Sequence, residues 1–183
     1  MRRPRKRLSI TSGNSLQAGM LIAGAALLWV CTLQGPAVVR GIVMLLGYVL
    51  VYLAAHASAH WFIGTRLGIR FTHYSIGGSS HAASYPPGMR QLFERLPFLA
   101  VHMDKSSLGD ATPVKMALMF GAGMTGSVVL STLAALWGKA NHVPGSTILL
   151  VANCVWFLGA IIADIRLGDY AKAGAALKAS RAR

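Results

Sequence analysis

The chain is expected to be an all-α integral membrane protein with four transmembrane helices and a long cytoplasmic connection that holds a short β element. Three observations carry this expectation. The chain is 54% hydrophobic and only 13% charged, with a mean hydropathy of +0.52, whereas soluble domains carry about 25% charged residues. It contains uncharged stretches that, at about 1.5 Å per helical residue, are long enough to cross a hydrocarbon core of roughly 30 Å. Its basic residues also alternate along the sequence. Five lie in the N-terminal tail, Arg40 alone in the first connection, at least five in the second and Lys139 alone in the third, with Arg166, Lys172, Lys178, Arg181 and Arg183 at the end. Under the positive-inside rule that pattern gives a multi-pass protein of the cell membrane with both termini cytoplasmic.

The elements follow in order. Residues 1–15 are a basic cytoplasmic tail, opening with MRRPRKR. A single membrane domain covers residues 16–170, with spans at about 16–34, 41–64, 114–137 and 146–165. Residues 171–183 form a second basic tail. The first apolar run has no clean small-residue cleavage site after it and is expected to be retained as a span. Gln34, Gly35 and Pro36 break the chain before the second span. In the connection between the second and third spans, IRFTHYSI (residues 69–76) is rich in β-branched and aromatic residues and reads as a strand. Tyr85-Pro86-Pro87-Gly88 reads as a turn, and residues 89–103 as an amphipathic surface helix broken at Pro97. The third span opens with GAGMTGS, whose small residues allow close helix approach in lipid.

The formal net charge of +13 is divided among three separate segments. It reads as topology signal and as contact with anionic membrane lipid, and no nucleic-acid partner is expected. Cys31 and Cys154 both fall in apolar spans, so neither a disulfide framework nor a thiolate zinc site follows from them.

The second span carries the chemistry. His56 and His60 are four residues apart, so both imidazoles project from one helix face one turn from each other. They lie about 12 Å and 6 Å from the cytoplasmic end of that span. The fourth span brings Asp164 to the same leaflet, with Asp169 five residues later as the alternative. Two imidazoles and a carboxylate with a fourth position open form the ligand set of catalytic zinc, and ionisable groups inside a membrane are costly unless they have a function. Asn153, eleven residues before Asp164, falls within about 20° of the same helix face and is expected to line the cavity as a substrate contact. Haem is not expected, because two histidines one turn apart on one helix cannot reach opposite faces of one iron.

These residues carry a resemblance. AHASAHWFIGTRLGIRFTHYSIGG resembles the motif helix and following strand of the site-2 protease family of intramembrane zinc metalloproteases, whose motif is H-E-x-x-H. GAGMTGSVVLSTLAAL is similar to that family's next core helix, and DIRLGDYAKA to the segment that bears its third ligand. The resemblance covers roughly residues 40–175. It implies zinc held by His56, His60 and an aspartate, with a transmembrane protein as substrate or partner. It also implies that Ala57 stands where the family has its general base and Ser127 where it has a substrate-binding asparagine.

A glutamate at that position takes and returns the protons of peptide hydrolysis, and alanine can do neither. The expected function is therefore that of a zinc-binding, protease-like membrane protein without the catalytic glutamate, and the sequence leaves open whether it is an enzyme. One alternative is an active intramembrane metalloprotease with an unorthodox base, drawn from Glu94 or His73. Another is a metal transporter or sensor, against which four spans and one polar cluster offer little material for a path. His73, His81 and His102, all in the long connection, are expected to be solvated loop histidines.

Overall fold

The computed structural model describes residues 6–77, 91, 98–109 and 111–181. Four helices in it are long and apolar enough to cross a membrane: α1 (Ile10–Val30), α2 (Ala37–Arg66), α3 (Pro113–Ala140) and α4 (Ser146–Leu167). A fifth helix, α5 (Asp169–Arg181), follows α4 almost without interruption. Three short strands, β1 (Lys6–Leu8), β2 (Phe71–Gly77) and β3 (Phe98–Met103), form one antiparallel sheet in the order β1-β2-β3.

Local chemistry sets the helix ends. Ser9 caps α1 by accepting the Ser12 N–H, so the helix begins at Ile10, six residues before the expected span. Pro36 stands at the start of α2, where its missing N–H costs nothing, and the helix starts at Ala37. Thr112 caps α3 ahead of Pro113, a cap residue followed by proline at the first helical position.

The bundle is built around α2, which packs on α1 along one side and on α3 along another, while α2 and α4 scarcely touch. The outer faces are apolar: Ile22, Val38, Ile148, Val155 and Leu158 are each well over half exposed. A surface of that kind is unfavourable in water and favourable against lipid tails. At one end of the bundle the Trp29 and Trp137 rings stack, and Trp137 Nε1 donates to the Leu28 carbonyl. At the other end lie the N-terminal strand, the connection after α2 and helix α5, so the three segments expected on one side do share one end.

The sheet closes that end. Tyr74 of β2 is fully buried against Ala57 of α2 and Leu99 of β3, with Leu8, Ile10, Met20 and Trp61 around them. Its hydroxyl donates to Asn14 Oδ1 at 2.7 Å, and burial pushes its pKa up to about 12. The two sequence partners of β2 differ from expectation. Part of the basic tail pairs with it, Lys6 opposite Ile76 and Leu8 opposite Tyr74. Residues 98–103, expected to close an amphipathic helix, form its other neighbour, with Tyr74 opposite Val101. Val101 and Leu99 alternate toward the buried side, and that period of two satisfies backbone groups a helix here would have left the sheet without. The remainder of that expected helix, the Tyr85–Gly88 turn, His81 and Glu94 lie outside the described residues. The C-terminal segment, expected as a tail, is helical to Arg181; its alanines and lysines are strong helix formers.

Candidate metal centre

The ligating face of α2 is held at a fixed distance from α3 by two glycines. A Cβ on Gly123 would run into the His60 imidazole, and one on Gly126 would meet the Ala59 side chain. Small residues at these positions let the two helices approach until the His60 ring lies against the α3 backbone. His60 Nδ1 then stands 2.8 Å from the Met119 carbonyl oxygen. A carbonyl only accepts, so Nδ1 carries the proton and Nε2 presents its lone pair.

His56 is fixed the same way. Ser127 Oγ donates to the Gly123 carbonyl at 3.1 Å, and so can accept from His56 Nδ1 at 3.3 Å. Its Nε2 also faces inward with a lone pair. The two rings meet edge to face, with centroids 4.8 Å apart.

The third group comes from the junction of α4 and α5. Asp169 Oδ2 lies 3.1 Å from His56 Nε2 and 3.0 Å from His60 Nε2, and the two nitrogens are 3.3 Å apart. In a tetrahedral zinc site with bonds of about 2.0–2.1 Å, ligand atoms stand about 3.3 Å from one another. The triangle therefore needs to open by only a few tenths of an ångström to take such an ion. Three acceptor atoms facing one another at this range repel unless a proton or a cation lies among them, so the donor set fits a metal ion. Burial works against the charged form of Asp169, and the Lys172 ammonium beside it favours that form.

Of the two expected aspartates, it is Asp169 that reaches the histidines, and Asp164 does a different job. Its carboxylate accepts the Asp169 N–H at 3.0 Å and the Tyr170 N–H at 2.8 Å, capping the first turn of α5. The physical reason is the break at Gly168. The chain leaves the α4 helix there, so Asp169 no longer follows the 100° step that α4 would have imposed on it. A Cβ at Gly168 would collide with the Asp164 carboxylate, so the turn requires glycine. Tyr170 ties α5 to α3 by a 2.8 Å hydrogen bond with Thr125.

The centre opens on a cavity of about 430 Å³ between α2, α3 and α4, closed on one side by β2 and β3. Tyr52, Met119, Phe120, Met124, Trp156 and Phe157 make most of its wall apolar. Ser127 and Ala57 line it. Asn153 does not: its oxygen accepts from Tyr48 at 2.8 Å and its amide donates to Thr132 at 3.0 Å, so both ends are spent joining α4 to α2 and α3. His73 stacks on His102 with centroids 4.4 Å apart and interacts with Thr72, while His102 Nε2 lies 2.8 Å from Ser75 Oγ. Neither is a solvated loop histidine, and neither lines the cavity.

Lys172 is the partner of Asp169 that the sequence did not single out. Its Nζ donates to Asp169 Oδ1 at 2.8 Å, the carboxylate oxygen that the two histidines leave free. The signal was present, a cation three residues after an acid in a segment of helix formers.

The architecture and the site define a class: a chain with four membrane-length apolar helices and a His-His-Asp group that could hold a metal ion. Comparison with known proteins goes no further. No family model matches the chain, and no curated protein or solved structure is significantly similar to it.

Proposed function

We propose that this is a multi-pass membrane protein, similar to the site-2 protease family, that holds zinc through His56, His60 and Asp169 and binds an apolar segment without cutting it. The observation that carries the reading is the triangle of His56 Nε2, His60 Nε2 and Asp169 Oδ2, whose sides of 3.0 to 3.3 Å match a tetrahedral ligand set. Zinc bound there supplies a Lewis acid at the mouth of the apolar cavity. Met119 and Ser127 orient the two imidazoles, the outer-shell support that metal-ligating histidines generally have.

The absence of cutting rests on Ala57. Its methyl lines the cavity one residue from His56, and it can neither take nor return a proton. His73, one of the two residues considered as a substitute base, is engaged in the sheet and away from the cavity wall. Leu99, Ala100 and Val101 of β3 line the cavity as well. The occupant in this reading is a transmembrane protein, with α1–α4 in the cell membrane and both termini in the cytoplasm.

The test is zinc content and cleavage of a model transmembrane substrate, measured for the chain and for Ala57→Glu. One zinc per chain with no cleavage by the natural sequence supports the reading. A chain that carries no zinc, or that cuts the substrate as it stands, contradicts it. The transporter alternative predicts metal flux into sealed vesicles.

A further inference from the structure

We infer that the cavity takes an apolar ligand ending in a free carboxylate, and that Lys172 is the residue that recognises that carboxylate. The inference rests on the zinc-binding reading of the same centre and adds to it the chemistry of the occupant.

The first ground is charge. Among the described groups lining the cavity, Asp169 and Lys172 offset each other, and the Asp164 carboxylate, which accepts two backbone N–H groups, keeps its single negative charge. Adding a divalent cation to two neutral imidazoles, this ion pair and that carboxylate leaves a net charge of +1. The lining is mostly apolar, and uncompensated charge in such surroundings is costly. An anionic ligand removes part of that cost, whereas a neutral amide or alcohol of the same shape does not.

The second ground is geometry. An ammonium has three donors, and Lys172 uses one of them on Asp169 Oδ1. Lys172 lines the cavity, its Nζ lies 5.7 Å from the centroid of the Phe120 ring, and its side chain is 47% exposed. Among the described lining residues it is the only lysine or arginine. A carboxylate head placed beside it also stands next to the open side of the His56, His60 and Asp169 triangle. The tail then lies along Met119, Met124, Trp156 and Phe157. A volume of about 430 Å³ is within the range of pockets that enclose small organic ligands, about 300–1,000 Å³.

Two sources share this chemistry, a fatty acid and the free C-terminus of an apolar peptide. The experiment uses the full chain in lipid nanodiscs, loaded with cobalt(II) as a spectroscopic stand-in for zinc. Four probes are titrated: decanoate, decanol, a tetraleucine peptide with a free C-terminus, and the same peptide amidated. The readouts are the cobalt absorption spectrum and the dissociation constant. At least one carboxylate probe is expected to shift the spectrum and to bind at least tenfold tighter than its uncharged counterpart. Which of the two does so identifies the source. Lys172→Met is expected to cut that preference about tenfold at saturating cobalt, and Lys172→Arg to retain it. Equal binding of carboxylate and uncharged probes, or an undiminished preference in Lys172→Met, overturns the inference while leaving the metal reading intact. Failure of the chain to bind cobalt overturns both.

Discussion

The Asp164 carboxylate receives the backbone N–H of Asp169 at 3.0 Å, so one aspartate sets the direction in which the other points. Both acids matter to the centre under this arrangement, but in different ways. Asp169→Ala removes a ligand and is expected to abolish stoichiometric zinc binding. Asp164→Ala leaves all three ligands present but frees the turn that aims Asp169. Loss of such outer support typically costs 10- to 100-fold in metal affinity, and a weakening of about that size is expected. Equilibrium competition with a zinc chelator measures both. An Asp164→Ala chain with unchanged affinity would show that Gly168 and the α5 packing hold Asp169 without the cap.

Gly123 is expected to be as sensitive as the ligands themselves. Gly123→Ala puts a methyl where the His60 ring now lies, so the ring must move and its bond to the Met119 carbonyl must lengthen. Zinc affinity is expected to fall at least tenfold. Gly159→Ala in α4 is the control, since a Cβ there meets nothing within 4 Å. It is expected to leave affinity unchanged and to stabilise the helix by about 0.5–1 kcal/mol. Equal effects of the two substitutions on zinc affinity would remove the close-packing argument.

The chain as it stands is expected to show little or no peptidase activity. A positioned general acid/base contributes about 10²- to 10⁴-fold, and Ala57 contributes none of it. The measurement is single-turnover cleavage of a transmembrane substrate in detergent. Turnover of about 1 s⁻¹ or more that disappears in His56→Ala would mean that another residue handles the protons.

Sidedness gives a further expectation. Strand β1, the connection after α2 and helix α5 gather at one end of the bundle, and under the positive-inside rule that end is expected to be the cytoplasmic one. A cysteine at Arg70 is expected to react with an impermeant reagent only after the membrane is opened, and one at Asn141 to react in intact cells. The reverse pattern would invert the topology.

How much of this could be read from residues alone divides along physical lines. The i, i+4 histidine pair was legible because both members sit on one uninterrupted helix, where spacing is angle. The choice between Asp164 and Asp169 was not, because the helix ends at Gly168 between them and angular phase is lost there. Asn153 shows the limit of the same argument. Its helix phase placed it near Asp164, yet Tyr48 and Thr132, both on other helices, engage its amide. The strand in IRFTHYSI was legible from its β-branched and aromatic residues, but its partners were not. A strand made of Lys6, Arg7 and Leu8 looks like a charged tail until Tyr74 and Ile76 are opposite it. Cross-strand pairing is a long-range contact, and local composition carries little trace of it.

The central claim is that His56, His60 and Asp169 together hold one zinc ion. Its most direct measurement is the zinc stoichiometry of the purified full chain by elemental analysis, beside His60→Ala and Asp169→Ala variants prepared in the same way and shown to be folded by circular dichroism. The account predicts one zinc per chain in the natural sequence and well under a tenth of that in each variant. A natural chain without zinc, or variants that keep it while folded, would contradict the account.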